Sequence, residues 1–173
     1  MSHRATELWM GERVTTLEDL LRPGLRAVCI GINPSVVSVE VGHYYQGRLG
    51  KRFLGRLRQA GVLPPDAEPG REDDAAFAAG IGFTDVVKRP TPRAHGLRPG
   101  ELEHGAARLV PKLEEARPAL LVFTYKQAAD AVLPALRESA ALRSTSTFRM
   151  PGPYAPAAEV ASGLDDLRRA LGV

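Results

Sequence analysis

The sequence predicts an α/β fold, a three-layer α/β/α sandwich around a central, mainly parallel four-stranded sheet, formed by residues 1–173 as a single domain. Short apolar segments alternate with amphipathic helical segments along the chain, which is typical of strands and helices in a covered parallel sheet. The segment "PALLVFTY" (118–125) is continuously apolar, as expected for a strand buried on both faces. A length of 173 residues without a linker fits one domain.

The first third of the chain contains one predicted strand between two predicted helices. Residues Thr15–Leu21 are read as a short amphipathic helix, which "RPG" ends before a strand at Arg26–Ile32. Residues Ser35–Gly50 are read as a loop. A helix with an apolar face and a basic face follows and ends at Gly61. Residues Pro64–Ala75 are rich in turn-forming residues and predict a surface excursion.

The rest of the chain repeats the strand and helix pattern. The predicted elements are a strand at Ile81–Val87, a helix from Pro99, a strand within Pro118–Tyr125, a helix at Lys126–Leu136, a strand at Thr147–Met150 and a helix at Glu159–Leu171.

Composition limits the possible functions. No apolar run reaches the ~20 residues that a membrane span needs, and the amino terminus lacks a signal-like apolar core, so we expect a cytoplasmic protein without a membrane partner. The single cysteine, Cys29, excludes a disulfide framework and is read as a buried strand residue rather than a nucleophile. The net charge is only +3, but clustered basic residues permit a polyanionic partner.

The loops after the strands are the expected ligand site, because α/β proteins bind ligands at the carboxyl ends of parallel strands. These loops contain an amide, a carboxylate, tyrosines and prolines. Dinucleotide, Walker and zinc-protease motifs are absent, as is the nucleophile-elbow motif. This set of side chains favours recognition of a flat heterocycle next to a polyanion.

Four segments occur in a characteristic order: "GINPS" (31–35), "GHYYQG" (42–47), "IGFTDVVKRPTP" (81–92) and "FTYKQA" (123–128). From about Leu21 to the carboxyl terminus, the chain resembles the mismatch-specific uracil/thymine-DNA glycosylases of the uracil-DNA glycosylase superfamily. The resemblance implies a monofunctional enzyme of base excision repair that flips uracil, with thymine or other damaged pyrimidines as further substrates, out of mismatched DNA and hydrolyses its N-glycosidic bond. It implies no metal and no organic cofactor.

The resemblance also implies roles for particular residues. Asn33 matches the amide that positions the attacking water, and Tyr45 matches the aromatic residue that stacks on the flipped base, with a packed loop aromatic as the alternative. Ile32 and Ser35 complete the predicted base site. The segment Met150–Tyr154 lies where the family carries residues that enter the duplex, so we expect its Gly152, Pro153 and Tyr154 to contact DNA. For Tyr154, a loop tyrosine that merely faces solvent is the alternative.

Three positions depart from the family pattern. Ser35 replaces the usual glycine, which narrows the space near the base and favours uracil over thymine. The segment 150–156 lacks the usual Pro-Ser pair and the arginine after it. Asp85 places a carboxylate where the thymine-processing relatives typically carry an amide and where the bacterial mismatch enzymes need not carry an acidic residue. A carboxylate there would stabilise an oxocarbenium-like sugar and accept a proton from water, so we hypothesise that Asp85 is the general base. A turn-capping role is the alternative.

The expected partner is double-stranded DNA with a G·U or similar lesion, bound by a monomer that associates with the nucleoid when it acts on DNA. Lys51, Arg52, Lys88 and Arg89 are the predicted phosphate contacts. Two other functions stay open at this point. One is a protein that binds mismatches or lesions without cutting, and the other is a flavodoxin-like module that binds a mononucleotide.

Overall fold

The computed structural model describes residues 1–93 and 96–173. It confirms the predicted fold class. Four strands form a parallel central sheet in the order β4-β3-β5-β6. They are β3 (Ala27–Gly31), β4 (Ile81–Asp85), β5 (Leu120–Phe123) and β6 (Ser146–Arg149).

Six helices in the described residues cover this sheet on both faces. They are α1 (Val36–Val41), α2 (Arg48–Gln59), α3 (Glu72–Ala78), α4 (Glu101–Ala116), α5 (Lys126–Glu138) and α6 (Ala157–Leu171). Apolar side chains of α1, α2, α3 and α6 pack with Cys29, Phe83 and Val122 on one face. Those of α4 and α5 pack with Ile30 and Phe123 on the other. Alternate residues of β3 and β5 therefore pack into the two cores, which explains why these two strand sequences are continuously apolar.

The amino terminus departs from the prediction. A β-hairpin of β1 (Arg4–Trp9) and β2 (Glu12–Leu17) replaces the helix predicted at Thr15–Leu21. Its two turn residues, Met10 and Gly11, have φ values of 47° and 86°, and two successive positive φ values fit the right-handed twist of a hairpin. In β2 exposed and buried side chains alternate from Arg13 to Thr16, the period of two that is typical of a strand.

Two predicted loops contain short helices. Helix α1 lies within the predicted loop Ser35–Gly50; Ser35 caps its amino end and Gly42, whose φ is 85°, caps its carboxyl end. Helix α3 begins inside the predicted surface excursion Pro64–Ala75. Its first turn carries three acidic side chains, which the helix dipole favours. One of them, Asp73, is fully buried.

The chain order within the sheet defines where a ligand would bind. From β3 the chain crosses to β4 on one side and then returns to β5 on the other. The switch point at the carboxyl ends of β3 and β5 is the usual ligand position in such sheets. Within the described residues, no helix is long and apolar enough to cross a membrane.

Candidate active site

Asp85 ends β4 at the carboxyl edge of the sheet. It pairs in register with Gly31 of β3, and its side chain lies directly over that glycine. A Cβ atom added at Gly31 would lie 2.2 Å from Asp85 Oδ1 and 3.2 Å from the Tyr45 hydroxyl oxygen. Only a glycine at this position leaves room for the carboxyl group, which brings Asp85 and Tyr45 to one point at the strand end.

The Asp85 carboxyl group is buried, with 4% of the residue exposed. Among the described residues nothing donates a hydrogen bond to its oxygens, so the turn-capping contact considered above is not made by them. These oxygens are not among the fully enclosed polar atoms without a partner, so water can reach them. Burial raises the pKa of Asp85 to about 7; Lys88 acts to lower it, and Asp19 acts to raise it. A carboxyl group with this pKa exchanges a proton near neutral pH, as a general base must.

Asn33 follows β3 by two residues and is held by the loop after β4. Its Nδ2 donates hydrogen bonds to Arg89 O at 2.9 Å and to Thr91 Oγ1 at 2.8 Å. Because the Thr91 hydroxyl donates to Arg93 O, it can only accept from Asn33. Both Nδ2 contacts therefore fix the amide orientation. The Oδ1 atom, for which the described residues provide no donor, is left to accept a hydrogen bond from another group.

Ile32 and Ser35, close to Asn33 in sequence, make hydrogen bonds within the local backbone. Ile32 is buried, and its carbonyl accepts a hydrogen bond from Val87 N at 2.8 Å. Ser35 caps α1: its Oγ accepts from Ser38 N at 3.1 Å and donates to Ser38 Oγ at 2.9 Å. The Ser35 hydroxyl is thus committed to the helix start, which weakens the expectation that it narrows a base pocket.

Tyr45 links the carboxyl ends of β3 and β5. Its φ is 61°, and its ring packs against Phe53 of α2 with ring centroids 4.5 Å apart. Its hydroxyl shares a hydrogen bond of 3.0 Å with Thr124 Oγ1, which in turn donates to Ile30 O at 2.8 Å. Burial raises the pKa of Tyr45 well above its usual value and nearby Asp85 adds to this, so the phenol stays neutral. Tyr44, by contrast, is a core residue.

The loop after β6 is tied to α2 by two arginines. Arg56 donates to Pro151 O at 2.6 Å and to Gly152 O at 3.0 Å, and Arg52 donates to Pro153 O at 2.6 Å. At the loop tip Tyr154 is 73% exposed, with the Arg52 guanidinium 5.5 Å from its ring centre. An exposed aromatic side chain on an anchored loop has the form of a wedge for a DNA duplex.

Two narrow clefts lie near the carboxyl edge of the central sheet. One runs between α2, the end of β5 and the loop after β6; its lining consists of Leu49, Arg52, Phe53, Arg56, Thr124, Tyr125, Met150, Pro151 and Pro153. Neither Asn33 nor Asp85 lines it. Asp85 instead borders a second cleft toward α4, together with Asp19, Lys88 and Lys112.

Two of the predicted phosphate-binding residues pair with carboxylates of the protein itself. Lys88 is buried and forms an ion pair with Asp19, while Arg89 donates to both carboxylate oxygens of Glu101 at 2.8 and 2.7 Å. Their charges are therefore neutralised by internal partners, contrary to the expectation for free phosphate ligands. Lys51 and Arg52 are exposed on α2.

Sequence reasoning did not assign roles to Thr124, Thr91 or Arg56. Thr124 directly follows β5, so its place at a strand end was a usable signal. Arg56 lies one helical turn after Arg52, and this spacing placed both on one face of α2. The Thr91 contact with Asn33 depends on how the loop after β4 folds back, which no local pattern indicates.

The parallel sandwich with carboxyl and amide groups at the carboxyl edge of its sheet defines a class, an α/β/α protein with a candidate ligand site at that edge. Comparison with protein families narrows this class. The model of the uracil DNA glycosylase superfamily matches residues 18–162. The chain belongs to the uracil DNA glycosylase superfamily. Membership supports a hydrolase with DNA glycosylase activity on uracil, DNA as its partner and a role in DNA repair, and it does not favour a protein that only binds lesions.

Proposed function

We propose that this protein is a monofunctional glycosylase that excises uracil from mismatched double-stranded DNA, with G·U as its principal substrate, in base excision repair. The observation that carries the proposal is the Asp85 carboxyl group, buried and without a hydrogen-bond partner among the described residues. It lies over Gly31, two residues before Asn33. A buried carboxyl group without a partner destabilises the fold, so its presence at a ligand-binding edge indicates a role in chemistry.

In the proposed reaction, Asn33 Oδ1 accepts a hydrogen bond from the attacking water and Asp85 receives the proton that this water loses. The water oxygen bonds to C1′ of the sugar while the C1′–N1 bond breaks, and the bonding electrons leave with the base. The ionised Asp85 also stabilises positive charge that develops on the sugar. General base catalysis typically contributes ~10²–10⁴-fold to a rate.

Access to C1′ requires that the nucleotide leave the base stack. Extrusion costs a few kcal/mol, and less when the base is mispaired, which favours mismatched sites. Stacking on Tyr45 would return about 1–3 kcal/mol. Tyr154 would fill the space left in the duplex, with Gly152 and Pro153 holding its backbone close to the DNA.

The proposal extends to substrate range. Uracil is the preferred base, and thymine and other damaged pyrimidines are secondary substrates. The Ser35 hydroxyl is turned into the α1 cap, so it adds little bulk against a 5-methyl group. Discrimination against thymine then depends on the fit of the base against Tyr45.

The direct test is incubation of the protein with labelled duplexes that contain G·U, A·U or G·T, and with single-stranded uracil DNA, followed by alkaline cleavage. Strand breaks at the uracil of G·U, in excess over the other substrates, are the expected result. Binding of the G·U duplex without abasic sites would contradict the proposal and point to a lesion-binding protein. Equal cleavage of all uracil substrates would contradict the mismatch preference alone.

A further inference from the structure

A cluster of four metal-ligating side chains lies outside the candidate active site. His3 comes from the segment before β1, His43 from the loop after α1, and Asp73 and Asp74 from the first turn of α3. One ligand atom from each residue can be chosen so that all four lie within 4.8 Å of one another. The cluster therefore joins three segments that are far apart in sequence.

The distances within the cluster suit a small cation. His3 Nε2 lies 2.7 Å from Asp74 Oδ1 and 4.0 Å from Asp73 Oδ2, and His43 Nδ1 lies 2.8 Å from Asp73 Oδ1. The imidazole planes of His3 and His43 are nearly perpendicular, at 86°. Two imidazoles and two carboxylates match the donor set of zinc and similar transition metals, whereas Mg²⁺ and Ca²⁺ prefer oxygen ligands alone.

Hydrogen bonds from outside the cluster orient its carboxylates. Asp73 is fully buried; its Oδ2 accepts from Tyr44 N at 2.8 Å and its Oδ1 from Asp74 N at 2.9 Å. The amino-terminal ammonium group lies 3.1 Å from Asp74 Oδ2, which leaves Oδ1 for the cluster. Supporting contacts of this kind hold metal ligands in place. The His3 and Asp74 side chains are 14% and 34% exposed, so an ion can enter from solvent.

We propose that His3, His43, Asp73 and Asp74 form a binding site for a divalent transition metal of the zinc type. The metal would take the place of the protons that His3 and His43 now share with the two carboxylates. It would tie the hairpin of β1 and β2 to α3 and to the loop that carries Tyr44 and Tyr45. The site is structural and takes no part in the hydrolytic step.

The experiment uses the full chain after treatment with a chelator. Titration with Co²⁺ gives visible d–d bands of four-coordinate geometry that saturate at one ion per chain, and Zn²⁺ abolishes them. Zn²⁺ at about 100 times its Kd raises Tm by about 5–10 °C, whereas Mg²⁺ does not. His3→Gln and Asp74→Asn, whose side chains are partly exposed, each weaken Co²⁺ binding at least tenfold. Asp66→Asn, which alters an exposed carboxylate outside the cluster, leaves binding unchanged.

Absence of the bands and of the Tm shift in the parent protein would overturn the proposal. Equal Co²⁺ binding by His3→Gln, Asp74→Asn and the parent would overturn the ligand assignment, and an equal Tm rise with Mg²⁺ would overturn the donor set. Far-UV circular dichroism of each variant separates lost ligation from lost folding. If both variants fail to fold, the change in Tm of the parent protein with Zn²⁺ and with Mg²⁺ tests the proposed site. Uracil excision is independent of these outcomes.

Discussion

Asp85 is a residue whose ionised form lowers the free energy of unfolding of the protein. Its ionised form is buried beside the neutral Tyr45 hydroxyl, and Lys88 pairs with Asp19 rather than with it. Water would solvate the ionised group better than this site does, which is why its pKa rises to about 7. The folded state therefore binds a proton that the unfolded chain releases at much lower pH.

This difference predicts how stability varies with pH. Between pH 4 and 7 the folded protein keeps the Asp85 proton while the unfolded chain loses it, so stability falls as pH rises. Asp85→Asn removes this dependence. Relative to the variant, the parent protein should lose about 2–4 kcal/mol of unfolding free energy from pH 4 to pH 8, measured by urea unfolding. A variant less stable than the parent at pH 8 would instead indicate a structural role for the carboxylate.

The same pKa predicts the pH dependence of catalysis. A general base must be ionised, so the rate of uracil excision should rise about tenfold per pH unit below pH 7 and level off above it. Single-turnover rates between pH 5 and 9 test this. A parent profile without a rise near neutral pH would be inconsistent with Asp85 as the base.

Residue-level predictions from the sequence succeeded where chain position decided the environment. The strand pattern placed Asp85 at the end of β4 and Asn33 two residues beyond β3, and their catalytic roles stay predictions. Cys29 is buried as predicted. The structure differs from the prediction for Lys88 and Arg89, because nothing in the sequence around a basic loop residue indicates which carboxylate will pair with it. Their partners, Asp19 and Glu101, come from other parts of the chain.

At the scale of elements, strands and helices with strong apolar patterns were predictable, and short ones were not. Three strands of the central sheet lie within predicted strand segments, and β6 (Ser146–Arg149) is shifted by one residue from the predicted Thr147–Met150. The hairpin of β1 and β2 was missed because its exposed strands are polar, and α1 because a six-residue helix has less than two turns of pattern. The metal-ligand cluster depends on these missed elements, so the sequence could not reveal it.

Helix α2 provides a prediction at this scale, because it anchors the loop that carries Tyr154. Arg56→Gln removes the hydrogen bonds to Pro151 O and Gly152 O. Loss of a charged hydrogen bond amounts to about 1.5–3 kcal/mol, so KM for a G·U duplex should rise about tenfold or more while single-turnover excision at saturation changes less.

Arg58→Gln is the matched control, because Arg58 lies on the same helix and contacts the carbonyls of Pro64 and Pro65 in a different loop. It should leave KM within about twofold of the parent. If both variants raise KM equally, the effect is one of helix charge, and the anchoring role of Arg56 is wrong.

At the scale of the whole molecule, the alternation of strands and helices was sufficient to predict the three-layer architecture. Strand order was not predictable from alternation alone, and it is the order β4-β3-β5-β6 that brings Gly31, Asp85 and Thr124 to one edge. The exposed basic residues of α2 stand at the same edge as the anchored loop. We propose this edge as the DNA-binding face, where exposed positive charge is concentrated although the net charge is only +3.

This face predicts the salt dependence of DNA binding. Lys51→Gln removes an exposed charge from α2 and should reduce the slope of log K against log salt concentration by about one. Arg137→Gln removes the same charge from the last turn of α5, away from the ligand-binding edge, and should leave the slope unchanged. Fluorescence anisotropy with a G·U duplex from low to moderate salt measures both slopes. Equal slopes for Lys51→Gln and the parent would place the DNA elsewhere.

The central claim is that the Asp85 carboxylate activates the water that breaks the glycosidic bond. The single-turnover rate of uracil excision by Asp85→Asn at pH 8 tests it most directly, with Asp66→Asn as the surface control and duplex affinity measured in parallel. We expect a loss of about 10²-fold or more for Asp85→Asn, with unchanged affinity and a control at the parent rate. A rate within twofold of the parent would remove the carboxylate from the mechanism.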